Sequence, residues 1–132
     1  MATTTTSISI NSPDISGDVI AINKTTQLKK AGVSTGLDQT TGVGKKITQS
    51  TSQYTLFAQA SYVNDLAHKV YIRVNSSNVT EYVTVTIGSQ SLGRLYGGDF
   101  LFIPWDGTAD ISLTPSVTTT LAVEYFLAFQ DS

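Results

Sequence analysis

The chain contains no cysteine, which removes disulfides, thiolate nucleophiles and cysteine metal sites together. Small secreted domains often draw stability from such staples, so this one must rely on its core or on subunit contacts. Charged residues make up only 14% and the net charge is −2. The protein as a whole is therefore not an electrostatic binder, and neither nucleic acid nor an anionic membrane is an expected partner. No run approaches the roughly 20 apolar residues of a membrane span. The segment Met1-Ala2-Thr3-Thr4-Thr5-Thr6 lacks a basic region and an apolar h-region, so a secretory signal is not expected and synthesis in a cytoplasm is.

Aromatic residues are missing from the first 52 positions, and all twelve lie at or after Tyr54. Residues 1–52 hold eleven Thr, seven Ser and five Gly, with five Lys against three Asp. Residues 53–132 hold three basic residues against seven carboxylates. A segment without aromatics buries little apolar area per residue and folds poorly alone. Ile8 and Ile10, then Val19 and Ala21, still alternate, so residues 1–52 read as an extended N-terminal arm with strand-like pieces that need another surface. A disordered low-complexity leader is the competing reading. Residues 53–132 read as a β domain; the full 132 residues are long enough to bury about two-thirds of the unfolded surface.

What is present is concentrated around Tyr96-Gly97-Gly98-Asp99-Phe100-Leu101-Phe102-Ile103-Pro104-Trp105. The glycine pair reads as a tight turn. Phe100–Ile103 is too short and aromatic for a helix and reads as a strand buried on both faces. Pro104 marks the end of that strand or an edge position. Elsewhere Val70, Ile72 and Val74 share one face, as do Val83, Val85 and Ile87, and these two runs are expected to pair as a hairpin around Ser76-Ser77-Asn78. Further strands are expected at 54–58, 92–95, 109–114 and 121–129. A turn or two of helix is conceivable only over 62–68. Strands at this spacing with polar turns predict an all-β fold, an antiparallel β-sandwich or jelly-roll-like barrel.

Chemistry is sparse. His68, the single histidine, has no nucleophile elbow with it and reads as an exposed loop residue. Asp99, Asp106 and Asp110 flank the central strand, which raises paired-carboxylate glycoside hydrolysis, but each sits at a turn where aspartate caps local backbone. Asp106-Gly107-Thr108-Ala109-Asp110 has too few ligands for a calcium loop. Gly42–Lys46 lacks the spacing of a phosphate loop, so Lys29, Lys30, Lys45 and Lys46 read as solvated charge or as contacts to an acidic partner. No catalytic residue, metal site or cofactor is expected. The sequons at Asn23, Asn75 and Asn78 read as coincidence without a secretory signal.

The block Leu92-Gly93-Arg94-Leu95-Tyr96-Gly97-Gly98-Asp99-Phe100, followed by Phe102-Ile103-Pro104-Trp105, resembles small virion structural proteins of tailed bacteriophages. Lys69-Val70-Tyr71-Ile72, Glu81–Val85, Asp110–Pro115, the closing Val123-Glu124-Tyr125 and the arm segment Leu37–Gly42 are similar to the same pattern, which spans most of residues 30–129. The resemblance implies repeated copies, symmetric contacts and no enzymatic activity. A capsid decoration (cement) protein that bridges shell subunits is expected first, and a neck or tail component after it. Expected partners are the major capsid protein or other virion subunits and further copies of the chain, a trimer being favoured, in a virion assembled in the host cytoplasm. Candidate interface residues are Lys29, Lys30, Lys45, Lys46, Tyr71, Tyr96, Trp105 and Phe126. A carbohydrate-binding host-adhesion sandwich, with Trp105 and Tyr96 as a sugar platform, is the alternative, although a Trp after Pro is more often an anchor in a core or interface.

Overall fold

The computed structural model describes residues Thr3–Asp131, with the side chain of Asp18 outside the description. The chain divides into two compact units, Met1–Asp38 and Gln39–Ser132.

In the first unit, β1 (Thr5–Ile15) and β2 (Asp18–Gln27) form a two-stranded antiparallel ribbon. Ser16 and Gly17 between them take φ of 50° and 80°, the positive pair that a two-residue hairpin turn requires. Beyond the ribbon, Lys29 bridges Gly36 across a turn that the Lys30 N–H closes on Thr35 O at 2.8 Å.

The second unit is a sandwich. Its strands are β3 (Gln39–Thr40), β4 (Gly44–Thr48), β5 (Tyr54–Phe57), β6 (His68–Val74), β7 (Tyr82–Ile87), β8 (Gln90–Tyr96), β9 (Phe100–Trp105), β10 (Ile111–Pro115) and β11 (Leu121–Phe129). Sheet I runs β4–β11–β6–β9, with the short β3 on the same edge of β11 as β4; sheet II runs β5–β10–β7–β8. All pairings are antiparallel. From β4 onward the chain changes sheet at every connection except β7 to β8, and the two strand orders are those of a jelly roll.

The period-2 patterns decide the layering. Val70, Ile72 and Val74 of β6 and Leu121, Val123 and Leu127 of β11 point inward from sheet I; Val83 and Val85 of β7 with Ile111 and Leu113 of β10 meet them from sheet II. Each such fully buried aliphatic side chain contributes about 1.5–3 kcal/mol.

The division between the units falls at 38/39, not at 52. Aromatic content misplaced it, because β4 completes sheet I through backbone pairing and a glycine contact instead of aromatic bulk. Gly44 lies under the Tyr125 ring, and a Cβ there would overlap the ring carbons and come within 2.6 Å of the hydroxyl. A larger residue there would have to push the tyrosine ring aside. The Gly42–Lys46 stretch is thus the entry to a strand.

Two pairing expectations also change. β6 and β7 do not form a hairpin; they lie in different sheets, and their apolar stripes face each other through the core. The hairpin is β7–β8 instead. Nor is β9 buried on both faces. It is an edge strand paired only with β6, with Leu101, Ile103 and Trp105 inward and Phe100, Phe102 and Pro104 outward. Pro104 does sit on an edge, as a residue without an N–H should. The Gly97–Gly98 turn carries the chain between the sheets: the Gly97 N–H donates to Glu81 O and that of Gly98 to Val74 O, both at 2.9 Å. Residues 62–67 form a loop, preceded by one 3-10 turn at Gln59–Ser61.

Two outcomes check this layering. Ile72→Ala should cost about 2–5 kcal/mol in urea unfolding, and Phe102→Ala about 1 kcal/mol or less. In hydrogen exchange, Lys45–Ile47 amides should group with the sandwich strands and exchange far more slowly than Thr5–Gln27; equal rates in both segments would remove β4 from the sheet.

Candidate interaction surfaces

Antiparallel sheets that face water on one side usually put polar side chains there. Sheet II follows the rule over Thr84, Thr86 and Thr114 and departs from it at Tyr82 and Tyr96. Sheet I does not follow it. On its outer side Phe126 of β11, Tyr71 of β6 and Phe102 of β9 stand in one cross-strand row, since Tyr71 is in register with both phenylalanines. The next row holds Glu124, Arg73 and Phe100, and β4 adds Lys45 and Ile47. Phe100 is 63% exposed, Ile47 59% and Phe102 36%. The Tyr71 hydroxyl donates to Glu124 Oε1 at 2.9 Å, and burial with that hydrogen bond raises its pKa. Lys69, beside Pro104, donates to Ala67 O at 3.3 Å and has its pKa lowered by burial.

Tyr71 and Phe126 are therefore brought together on an exposed face. Phe100, Phe102 and Ile47 belong with them and were hidden in the sequence. In Phe100–Trp105 every residue is apolar, so the alternation that separates the two faces leaves no polar mark.

Trp105 must be withdrawn as an interface or sugar-stacking candidate. It is 4% exposed, its Nε1–H donates to Ala109 O at 2.9 Å, and its ring packs near Phe57, Tyr62 and His68. Its apolar bulk fills the end of the core. Tyr96 remains at the surface on sheet II, 5.1 Å from the ring of its cross-strand partner Tyr82. The Arg94 guanidinium lies over Tyr82 at 4.4 Å and donates to the Tyr96 hydroxyl at 3.3 Å.

The four lysines do not share one role. Lys29 is exposed, and Lys30 pairs with Asp38 at 3.7 Å. Lys45 faces outward opposite Glu124, whereas Lys46 lies over the Tyr54 ring at 5.5 Å.

His68 is not an exposed loop residue. It is fully buried, with Nε2 2.8 Å from Val63 O and Nδ1 accepting the Gln130 N–H at 3.1 Å. That pattern assigns the Nε2–H tautomer and occupies both nitrogens, leaving none for a substrate. The outward residue type is misleading here because β6 starts two positions before its first apolar residue, which puts His68 in phase with Val70. The three aspartates cap turns: Asp99 accepts the Tyr96 N–H, Asp110 that of Gln59, and Asp106 the N–H and hydroxyl of Thr108. The Thr108 bonds hold the Asp106 carboxyl below its ordinary range. Among the described residues, no three of His, Asp and Glu converge as metal ligands.

No model of a known protein family, no characterised protein and no solved structure matches this chain.

Tyr54 carries the sharpest local test. Its hydroxyl is buried and, among the described residues, has no hydrogen-bond partner; burial pushes its pKa up to about 12. Removing an unsatisfied buried hydroxyl costs little, so Tyr54→Phe should match or exceed the parent in stability. The parent should lose stability as pH rises above about 10, where the unfolded tyrosine ionises and the folded one does not. The Phe variant should lose less over the same range in thermal melts.

Proposed function

We propose that this protein is a bacteriophage virion structural protein, a capsid decoration (cement) protein that docks on assembled shell subunits and bridges them. The observation that supports this most is the outward aromatic row Phe126–Tyr71–Phe102 with Phe100 beside it. Contiguous exposed apolar surface on a soluble domain marks an interaction site, and aromatic residues dominate the centres of interfaces. The face spans three strands, and the concavity on it is a shallow one lined by Tyr71, Arg73, Gly98 and Phe100, which a side chain of a docked protein could fill. The setting rests on the resemblance of the sequence pattern over most of residues 30–129 to small phage virion proteins, which implies a virion assembled in the host cytoplasm, a major capsid protein or other virion subunit as partner, and repeated copies with a trimer favoured. A place in the neck or tail is the same reading at another position in the particle.

A host-adhesion role keeps one observation in its favour, the exposed Tyr96 beside the half-buried Tyr82, with Arg94 across the pair. Aromatic faces stack on sugar rings and the guanidinium supplies donors. Binding of the parent on a glycan array, abolished by Tyr96→Ala, would favour that role.

The test adds purified variants to particles that lack the protein and counts bound copies. Replacing both Phe100 and Phe102 by Ser should reduce bound copies about tenfold or more, as expected for loss of central anchors. The same variant should lower the rise in particle rupture temperature, while Tyr96→Ala binds like the parent. Undiminished binding by the double serine variant would remove the aromatic face from this role.

A further inference from the structure

The outward face of sheet I is charged as well as aromatic. Along its strands stand Lys45 of β4, Lys69 and Arg73 of β6 and one carboxylate, Glu124 of β11. The face thus has a surplus of two positive charges in a chain whose net charge is −2. Glu124 is engaged elsewhere: its Oε1 accepts the Tyr71 hydroxyl, and among the described residues it forms no ion pair with Lys45 or Arg73. The two arginines of the chain are used differently. Arg94 on sheet II lies over the Tyr82 ring and donates to the Tyr96 hydroxyl. Arg73 is exposed, and among the described residues it donates no hydrogen bond and makes no ion pair. It borders the concavity of about 390 Å³ whose other walls are Tyr71, Phe100 and Gly98.

We infer that this concavity receives a carboxylate side chain of the docked protein, an aspartate or glutamate in an apolar surround, whose oxygens accept from the Arg73 guanidinium. The inference rests on the docking role proposed above and names the chemistry of the partner at its centre. Covering Phe100 and Tyr71 strips water from the guanidinium between them. A cation left unpaired there would oppose docking, and the chain offers it no internal acceptor, so the partner must bring an anionic one. A carboxylate matches the planar fork of a guanidinium, and the excluded water strengthens the pair.

A nucleic acid is the other anion with flat rings to stack, and it needs cations set along a backbone. The register gives no such track. Glu124 stands between Lys45 and Arg73 in one cross-strand row, and the Phe126–Tyr71–Phe102 row separates Arg73 from Lys69. One guanidinium between two rings serves a single carboxylate, spaced from other charge by apolar surface, as at the centre of a protein interface.

The site is tested on the full chain with phenylacetate, which joins a ring to a carboxylate, and with phenylacetamide, which has the same shape without the charge. In NMR titrations phenylacetate should shift the Arg73 Nε–H and the Tyr71 and Phe100 ring signals saturably, with a Kd of roughly 10 mM, the range of a fragment this small. Phenylacetamide should bind several-fold more weakly. Arg73→Gln, at an exposed position, should keep the fold and lose the preference for the acid, while Arg94→Gln keeps it. Equal binding of acid and amide, shifts centred on Arg94, or a preference that survives Arg73→Gln would each overturn the inference. So would a short oligothymidylate that moves the same ring signals at lower concentration than phenylacetate, which would make the partner a nucleic acid. Particles lacking the protein separate this inference from the docking role. Arg73→Gln should leave several-fold fewer copies bound than the parent; binding at the parent level would overturn the carboxylate contact and leave the docking role standing. A parent that does not bind particles removes the docking role, and the phenylacetate comparison still decides the preference of the site.

Discussion

One layer of apolar side chains, shared by two sheets, sets the course of this chain. The strands that fill it are half-buried, so each needs an apolar surface opposite its inward face as well as partners along its edges. Changing sheet at almost every connection supplies both. His68 closes the layer at one end, where no aliphatic residue could: its ring packs against Trp105 and Tyr62 while its nitrogens hold Val63 and Gln130. A leucine of similar volume would leave the Val63 carbonyl and the Gln130 N–H without those partners.

The two outer faces of the sandwich are chemically different. Sheet II turns threonines outward along β7 and β10, with the Tyr82–Tyr96 pair and Arg94 gathered at one end, whereas sheet I turns aromatic rings outward along three strands. Tyr71 shows how the aromatic face is kept ordered. Its hydroxyl is tied to Glu124 in the next cross-strand row, which restricts the rotamers open to the ring.

Much of the fold was legible where polarity alternated with apolar residues. β6, β7 and β11 read correctly because threonine, tyrosine or charge marks their outer faces, and the all-β sandwich or jelly-roll class follows from them. β9 was misread because all six of its residues are apolar and conceal which three face out. Pairing partners were not legible either. A period-2 stripe fixes which face is buried but not whether its complement lies beside it or across the core, which is why β6 and β7 were joined. The domain boundary was missed because aromatic content stood in for burial, whereas β4 is held by a ladder to β11 and by the bare backbone of Gly44. Of the candidate interface residues, Tyr71 and Phe126 had an outward placement legible from phase alone. Trp105 was not, since its position in phase with Ile103 signals the core only once the face of β9 is known.

Pro104 has a consequence for the open edge of sheet I. Sheet I ends at β9, and an open ladder beside aromatic side chains is the sort of edge along which identical chains fuse into fibrils. A proline within that edge leaves a gap in the row of donors, so a neighbouring strand cannot zip along its whole length. The exposed aromatic face therefore does not border a continuous open ladder.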